Sequence, residues 1–189
     1  MKNSLTLALL FSIFAATAGA TVKSHELKIA LNESREVIVA VPAGFALVPG
    51  RDPNGLVGFK MSDPHQSVTV DLQFLPDPEG TFATTRARTE LIYKMFVEYV
   101  DSSTEKAMQF EELEPQTGAG TYCVFTDAKL VGQTELPPGE YLHLTTGVKT
   151  WPGVAAVFRC FSNDTTSAGY KSILAMLRES VHERPVPLK

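Results

Sequence analysis

The strongest constraint on the fold is a change of hydrophobic period between residues 67 and 100. In "SVTVDLQFLP", Val68, Val70, Leu72 and Phe74 alternate with Ser67, Thr69, Asp71 and Gln73. Successive side chains of a strand point to opposite faces, so this run predicts a strand with one apolar and one polar side. "DPEG" ends it, and the period becomes helical. Leu91, Ile92, Met95, Phe96, Tyr99 and Val100 recur as adjacent pairs every four residues, a stripe on one helix face. The spacing predicts a helix over about 82–101 with Thr81 as its N-cap. Arg86–Glu90 and Glu90–Lys94 support it as i,i+4 pairs worth a few tenths of a kcal/mol each.

Around this unit the chain reads as further strands. Two β-rich runs, 26–31 and 35–41, flank "NES", and "VPAGF" stops the second because Pro42 lacks a donor and Gly44 eases a bend. "RDPNG" predicts a turn, "LVGFKMS" a strand and "DPHQ" a second turn. After the helix, "AMQFEELEPQTGAG" predicts a short strand and a loop. "TYCVFTDAKL", "EYLHLTTGVKT" and "VAAVFRCFSND" predict three meandering strands, the last two joined at "WPG". "NDTTS" caps a closing helix on which Tyr170, Ile173, Leu174, Leu177 and Val181 share a face. "RPVPLK" predicts a proline-broken, flexible tail over 183–189. Segregated strands and helices indicate an α+β fold: an antiparallel sheet of about six strands flanked by two main helices.

The first residues, "MKNSLTLALLFSIFAATAGA", have the form of a signal peptide. Lys2 gives the positive start, Leu5–Ala16 the apolar stretch, and Ala18-Gly19-Ala20 the small-residue cleavage site. Residues 1–20 are therefore expected to be removed, leaving a single domain over 21–189, long enough for one core. No later run is apolar enough to span a bilayer, and the competing reading of 1–20 is an uncleaved anchor. The expected location is periplasmic or secreted. With 17 basic against 21 acidic residues, a formal charge of −4 and a pI near 5.6, the chain lacks the basic footprint of a nucleic-acid binder.

The element order, the size, the signal peptide and "VPAGF" after an early strand together resemble the PsbP/DcrB type of α/β/α sandwich. The resemblance spans most of the mature chain. It implies accessory and assembly roles, since that superfamily holds photosystem extrinsic subunits, cell-envelope proteins and secretion-effector chaperones and few enzymes. It implies no site residue.

The residues themselves offer few reactive groups. An exported protein with two cysteines suggests a Cys123–Cys160 bridge. The meander argues the other way, because strands two apart at ~4.8 Å spacing exceed the ~7 Å that a disulfide tolerates between Cα atoms. Both a bridge and two packed thiols stay open. Cys123, mid-strand on an apolar face, has nothing to activate it as a nucleophile. Among His25, His65, His143 and His182 no spacing suits a metal, and no cofactor or phosphate-loop motif is present. His143, read on one strand face with Tyr141 and Thr145, could line a small-ligand site; the alternative is a half-exposed strand. Trp151 at the "WPG" turn is either an exposed partner anchor or a ring folded over the sheet edge. These residues point to a non-enzymatic envelope protein that binds a protein partner or small ligand. The alternatives are an immunity or inhibitor protein, and a hydrolase using His143 and Asp127 in a helix–sheet pocket.

Overall fold

The structure, a computed structural model, describes residues 25–32 and 35–185. Residues 1–20, expected from the sequence to be a signal peptide, lie outside the described residues, as do the "ES" of the first turn and the last four residues.

Among the described residues, ten strands and two α-helices follow in the order β1 (His25–Ala30), β2 (Arg35–Val41), β3 (Ala46–Arg51), β4 (Val57–Ser62), β5 (Val68–Asp77), α1 (Thr85–Phe96), β6 (Glu111–Glu112), β7 (Ala119–Thr126), β8 (His143–Trp151), β9 (Gly153–Ser162), α2 (Ala168–Ala175) and β10 (Val181–Pro185). All pairings are antiparallel. The main sheet has seven strands in the order β3-β4-β5-β9-β8-β7-β6, and β1-β2-β10 form a separate sheet of three. The α+β class and the antiparallel layering agree with the sequence; the sheet expected to have about six strands has seven, and the sheet of three lies apart from it.

The main sheet is apolar on both sides because strand alternation feeds two cores. Val68, Val70, Leu72 and Phe74 of β5 join Phe158 and Cys160 of β9, Tyr170 and Ile173 of α2, and Val37, Val39 and Val41 of β2. On the opposite side Cys123, Phe125, Leu144, Val148 and Val157 meet Ile92 and Phe96 of α1. Arg88 is also drawn under α1, 2% exposed. Its guanidinium donates to Thr121 Oγ1 at 2.9 Å and to the Ala83 carbonyl at 2.7 Å, and meets Glu112 at 3.4 Å. A buried charge persists when its donors are satisfied in this way.

Three expectations change. The helix begins at Thr85 with Thr84 as N-cap, not Thr81. Asp77 takes the Thr81 and Phe82 N–H groups at 2.7 and 3.0 Å, which ties that segment into a turn one step before the helix. Strand β3 has no alternation to reveal it, being an exposed edge strand interrupted by Pro49. Val181 opens a strand instead of ending a helix. The closing helix finishes in a π turn, Met176–Ser180, and residues 183–185 of the expected flexible tail belong instead to β10, which pairs along β2.

Candidate functional site

A concavity lies where α1 leaves the sheet. After Phe96 a 3-10 turn, Val97–Tyr99, carries the chain back over the sheet. Thr104 N–H donates to the Thr126 carbonyl at 2.8 Å and Ala128 N–H to the Ser102 carbonyl at 3.0 Å, which pins this return against the end of β7. The long connection from β7 to β8 closes the other wall. Its ends meet where Asp127 N–H donates to the Leu142 carbonyl at 2.9 Å, and Leu142 N–H donates to Asn163 Oδ1 at 3.2 Å. Between the walls is a crevice of about 170 Å³.

Aromatic rings shape it. Tyr99 leans on Phe125 with centroids 6.0 Å apart, and Tyr141 on Phe161 at 5.6 Å. The Tyr141 hydroxyl reaches Thr69 Oγ1 at 3.0 Å, so the ring is held at both ends. Leu144 completes the floor, and the charged groups lining the crevice are the carboxylates of Asp127 and Glu140. Asp127 keeps one oxygen on the Lys129 N–H at 2.8 Å. The arrangement can take up an apolar or cationic group the size of a single side chain. It brings no nucleophile together with a base.

Tyr141 is thus at the crevice, but His143 is not beside it. Tyr141 precedes β8, in a loop that does not keep strand alternation, and faces the α1 side. His143 opens β8 opposite Thr126 and Ser162 and by alternation faces the α2 side. Its Nδ1 lies 3.1 Å from Thr126 Oγ1. Burial lowers its pKa, against the opposing pull of Glu105 and Asp164. Asp127 lines the crevice with Phe125, so the sheet separates it from His143, and the acid–base pair considered for a hydrolase is not assembled.

The cysteines are free thiols, both fully buried. Cys123 is opposite Thr146 and Cys160 opposite Thr145, with β8 between them, and they belong to cores on opposite faces of the sheet. That excludes the bridge. Burial pushes each thiol up to about 12, with Glu105 a further cause at Cys123, so neither is a nucleophile at neutral pH. Trp151 is not exposed at a hairpin tip. It is the last residue of β8, 6% exposed and part of the α2-side core, and its indole N–H finds no acceptor among the described residues. Sequence reasoning missed Tyr99, Phe125 and Phe161. Tyr99 belongs to the stripe of the expected helix, and only the chain reversal at 100–104 sets it against Phe125 as one wall.

Among the described residues no group of three or more His, Cys, Asp and Glu could hold a metal, and no helix is long and apolar enough to cross a membrane. The chain is an α+β protein with its sheet between α1 on one side and α2 with the small sheet on the other. In shape it is similar to the solution structure of cyanobacterial PsbP (CyanoP) from Synechocystis sp. PCC 6803, with a TM-score of 0.48 and 13% identity, over 88% of this chain and 97% of that one. At that identity the likeness is one of fold alone. No protein-family model matches the chain, and no curated protein matches it.

Proposed function

We propose that the chain is an exported envelope protein, periplasmic or secreted, made as 1–20 leader and 21–189 domain. It acts without catalysis, in an accessory or assembly role, by binding a partner protein. The observation that carries this reading is the size and lining of the crevice. At about 170 Å³ it is well below the ~300–1,000 Å³ of sites that enclose whole small molecules, and it fits one side chain. Rings fixed by Phe125, Phe161 and Thr69 form the rigid, water-excluding kind of pocket in which a partner's anchor residue contributes most. Tyr141 is therefore the ligand-binding residue of this reading; His143 and Trp151 drop out of it.

The test compares capture of envelope proteins by the wild-type chain, by Tyr141→Ala and Tyr99→Ala, and by Tyr93→Ala, a 54%-exposed residue of α1 outside the crevice. One protein retained by wild type and Tyr93→Ala, and reduced at least about tenfold by either crevice variant, supports the reading. Circular dichroism verifies that the variants fold. Equal capture by all four chains, or capture by none, sinks it.

A further inference from the structure

The polar groups around the aromatic crevice share one bias: they accept. Its charged groups are the carboxylates of Asp127, half-buried, and Glu140, exposed. Among the described residues neither is in an ion pair, and no lysine, arginine or histidine lines the crevice. Arg159 lies 5.9 Å from the Phe161 ring centre, but it is paired with Asp71 at 3.2 Å and is not part of the lining.

The neutral polar groups follow the carboxylates. Ser102 and Ser103 donate their hydroxyl protons to the Tyr99 and Val100 carbonyls, at 3.1 and 2.9 Å, and keep only acceptor capacity. The Asp127 N–H is committed to the Leu142 carbonyl at 2.9 Å, and the Glu140 N–H to the Pro137 carbonyl at 3.0 Å. The Leu142 N–H is committed to Asn163 Oδ1 at 3.2 Å. An occupant therefore meets acceptors and negative charge in excess, and brings the donors itself. The rest of the lining is mainly aromatic, with Tyr99 tilted 32° to Phe125 and Tyr141 tilted 42° to Phe161. Such rings attract a cation placed within about 6 Å of their centres, through the negative charge of their faces.

On the reading that this crevice takes a partner's anchor residue, we propose that the anchor is a basic side chain, arginine or lysine, on an exposed segment of the partner protein. Both side chains carry donors and no acceptor, the complement of these walls. Their apolar stems lie along the rings while the charged head reaches a carboxylate. The planar guanidinium adds stacking and a paired fork for carboxylate oxygens, so arginine is the better fit of the two. The formal charge of −4 on the whole chain acts in the same direction at longer range. An acidic anchor would face two carboxylates instead.

The test is an NMR titration of the chain with the acetylated amides of arginine, lysine and norleucine, the last having the lysine stem without its charge. The expected result is saturable shifts at the Gly139, Tyr141 and Leu144 amides, with arginine about fivefold tighter than norleucine and lysine between them. The difference should shrink as sodium chloride is raised. Asp127→Asn combined with Glu140→Gln keeps a side-chain oxygen for the Lys129 N–H, and should remove the arginine preference while leaving norleucine binding as it was. Glu79→Gln, at an exposed carboxylate outside the crevice, should bind as wild type. An arginine preference that survives the paired variant unchanged overturns the proposal. So does norleucine binding as tightly as arginine, which would make the crevice a receptor for an apolar anchor and leave the partner-binding reading intact. Tetramethylammonium, a cation without N–H donors, is the fourth probe; if it binds tighter than the arginine amide, the occupant is a small quaternary amine and the proposal fails. Saturation by none of the four removes the proposal together with the reading it rests on.

Discussion

Lys149 carries an ammonium into the core with 1% of its surface exposed. Strand alternation in "HLTTGVKTW" assigns it to the inner face, and sequence alone gives no reason for a lysine there. The reason comes from elsewhere in the chain. Its Nζ donates to the Leu177 carbonyl at 2.7 Å and the Val181 carbonyl at 2.6 Å, where the π turn that ends the closing helix passes into β10, and lies 5.0 Å from the Trp151 ring centre. A cation among these carbonyls suits the point where the closing helix gives way to β10. Lys149→Met removes the lysine's hydrogen bond from both buried acceptors, and is expected to cost about 1–3 kcal/mol in urea unfolding. A cost below about 0.5 kcal/mol would show that the cation does not hold this terminus. The cysteines give a second prediction at this scale. With Cys123 and Cys160 on opposite faces of the sheet, the unreduced chain should show two reactive thiols when denatured and none when native. Loss of both after oxidative refolding would contradict the strand order.

At the scale of elements, β5, α1 and the three late strands were legible because each carries its period on a face that is buried. Strand β3 was not, since an exposed edge needs no apolar alternation and Pro49 removes one donor from it. β10 was misread for a related reason: two prolines in seven residues describe a tail unless a neighbouring strand offers a ladder, and β2 does. Ending the chain at residue 180 removes that ladder and the Val181 acceptor of Lys149, and uncovers Val37 and Val39, which are fully buried. A loss of roughly 3 kcal/mol or more, with a lower melting temperature, is expected; a truncated chain as stable as the whole would show that β10 contributes nothing. Gly147, mid-strand in β8, is equally specific. A Cβ there would meet the Phe158 ring, with Thr121 O at 2.6 Å and Tyr122 Cβ at 2.7 Å. Gly147→Ala should therefore cost about 1–3 kcal/mol by overpacking, although alanine suits an ordinary strand.

Across the whole molecule the buried titratable groups set the alkaline behaviour. Burial lowers Lys149 to about 8 from 10.5. A base that binds fewer protons folded than unfolded makes stability rise with pH between those values. Cys123 and Cys160 act in the opposite sense, since burial raises each to about 12 from 9.0. Their stabilisation is complete below pH 9 and is lost as pH rises toward 12, where the unfolded chain has already released both protons. Two thiols shifted upward outweigh one amine shifted downward, so net stability should fall above about pH 10, and Cys123→Ala with Cys160→Ala should flatten that fall in a urea series at several pH values. A double variant with the wild-type pH profile would remove the thiols from the account. At this scale the division between sequence and structure is also clear. The sequence by itself determined the α+β class, the antiparallel meander and the faces of β5 and α1, because hydrophobic period and turn chemistry are local and act within a dozen residues. Only the tertiary structure decided that Cys123 and Cys160 stay unbridged on opposite faces, that Tyr141 and His143 part in the same way, and that Tyr99, Phe125, Tyr141 and Phe161 make one crevice. Each of those groupings depends on which distant segments the sheet order sets side by side, and periodicity within one segment carries no record of its neighbours.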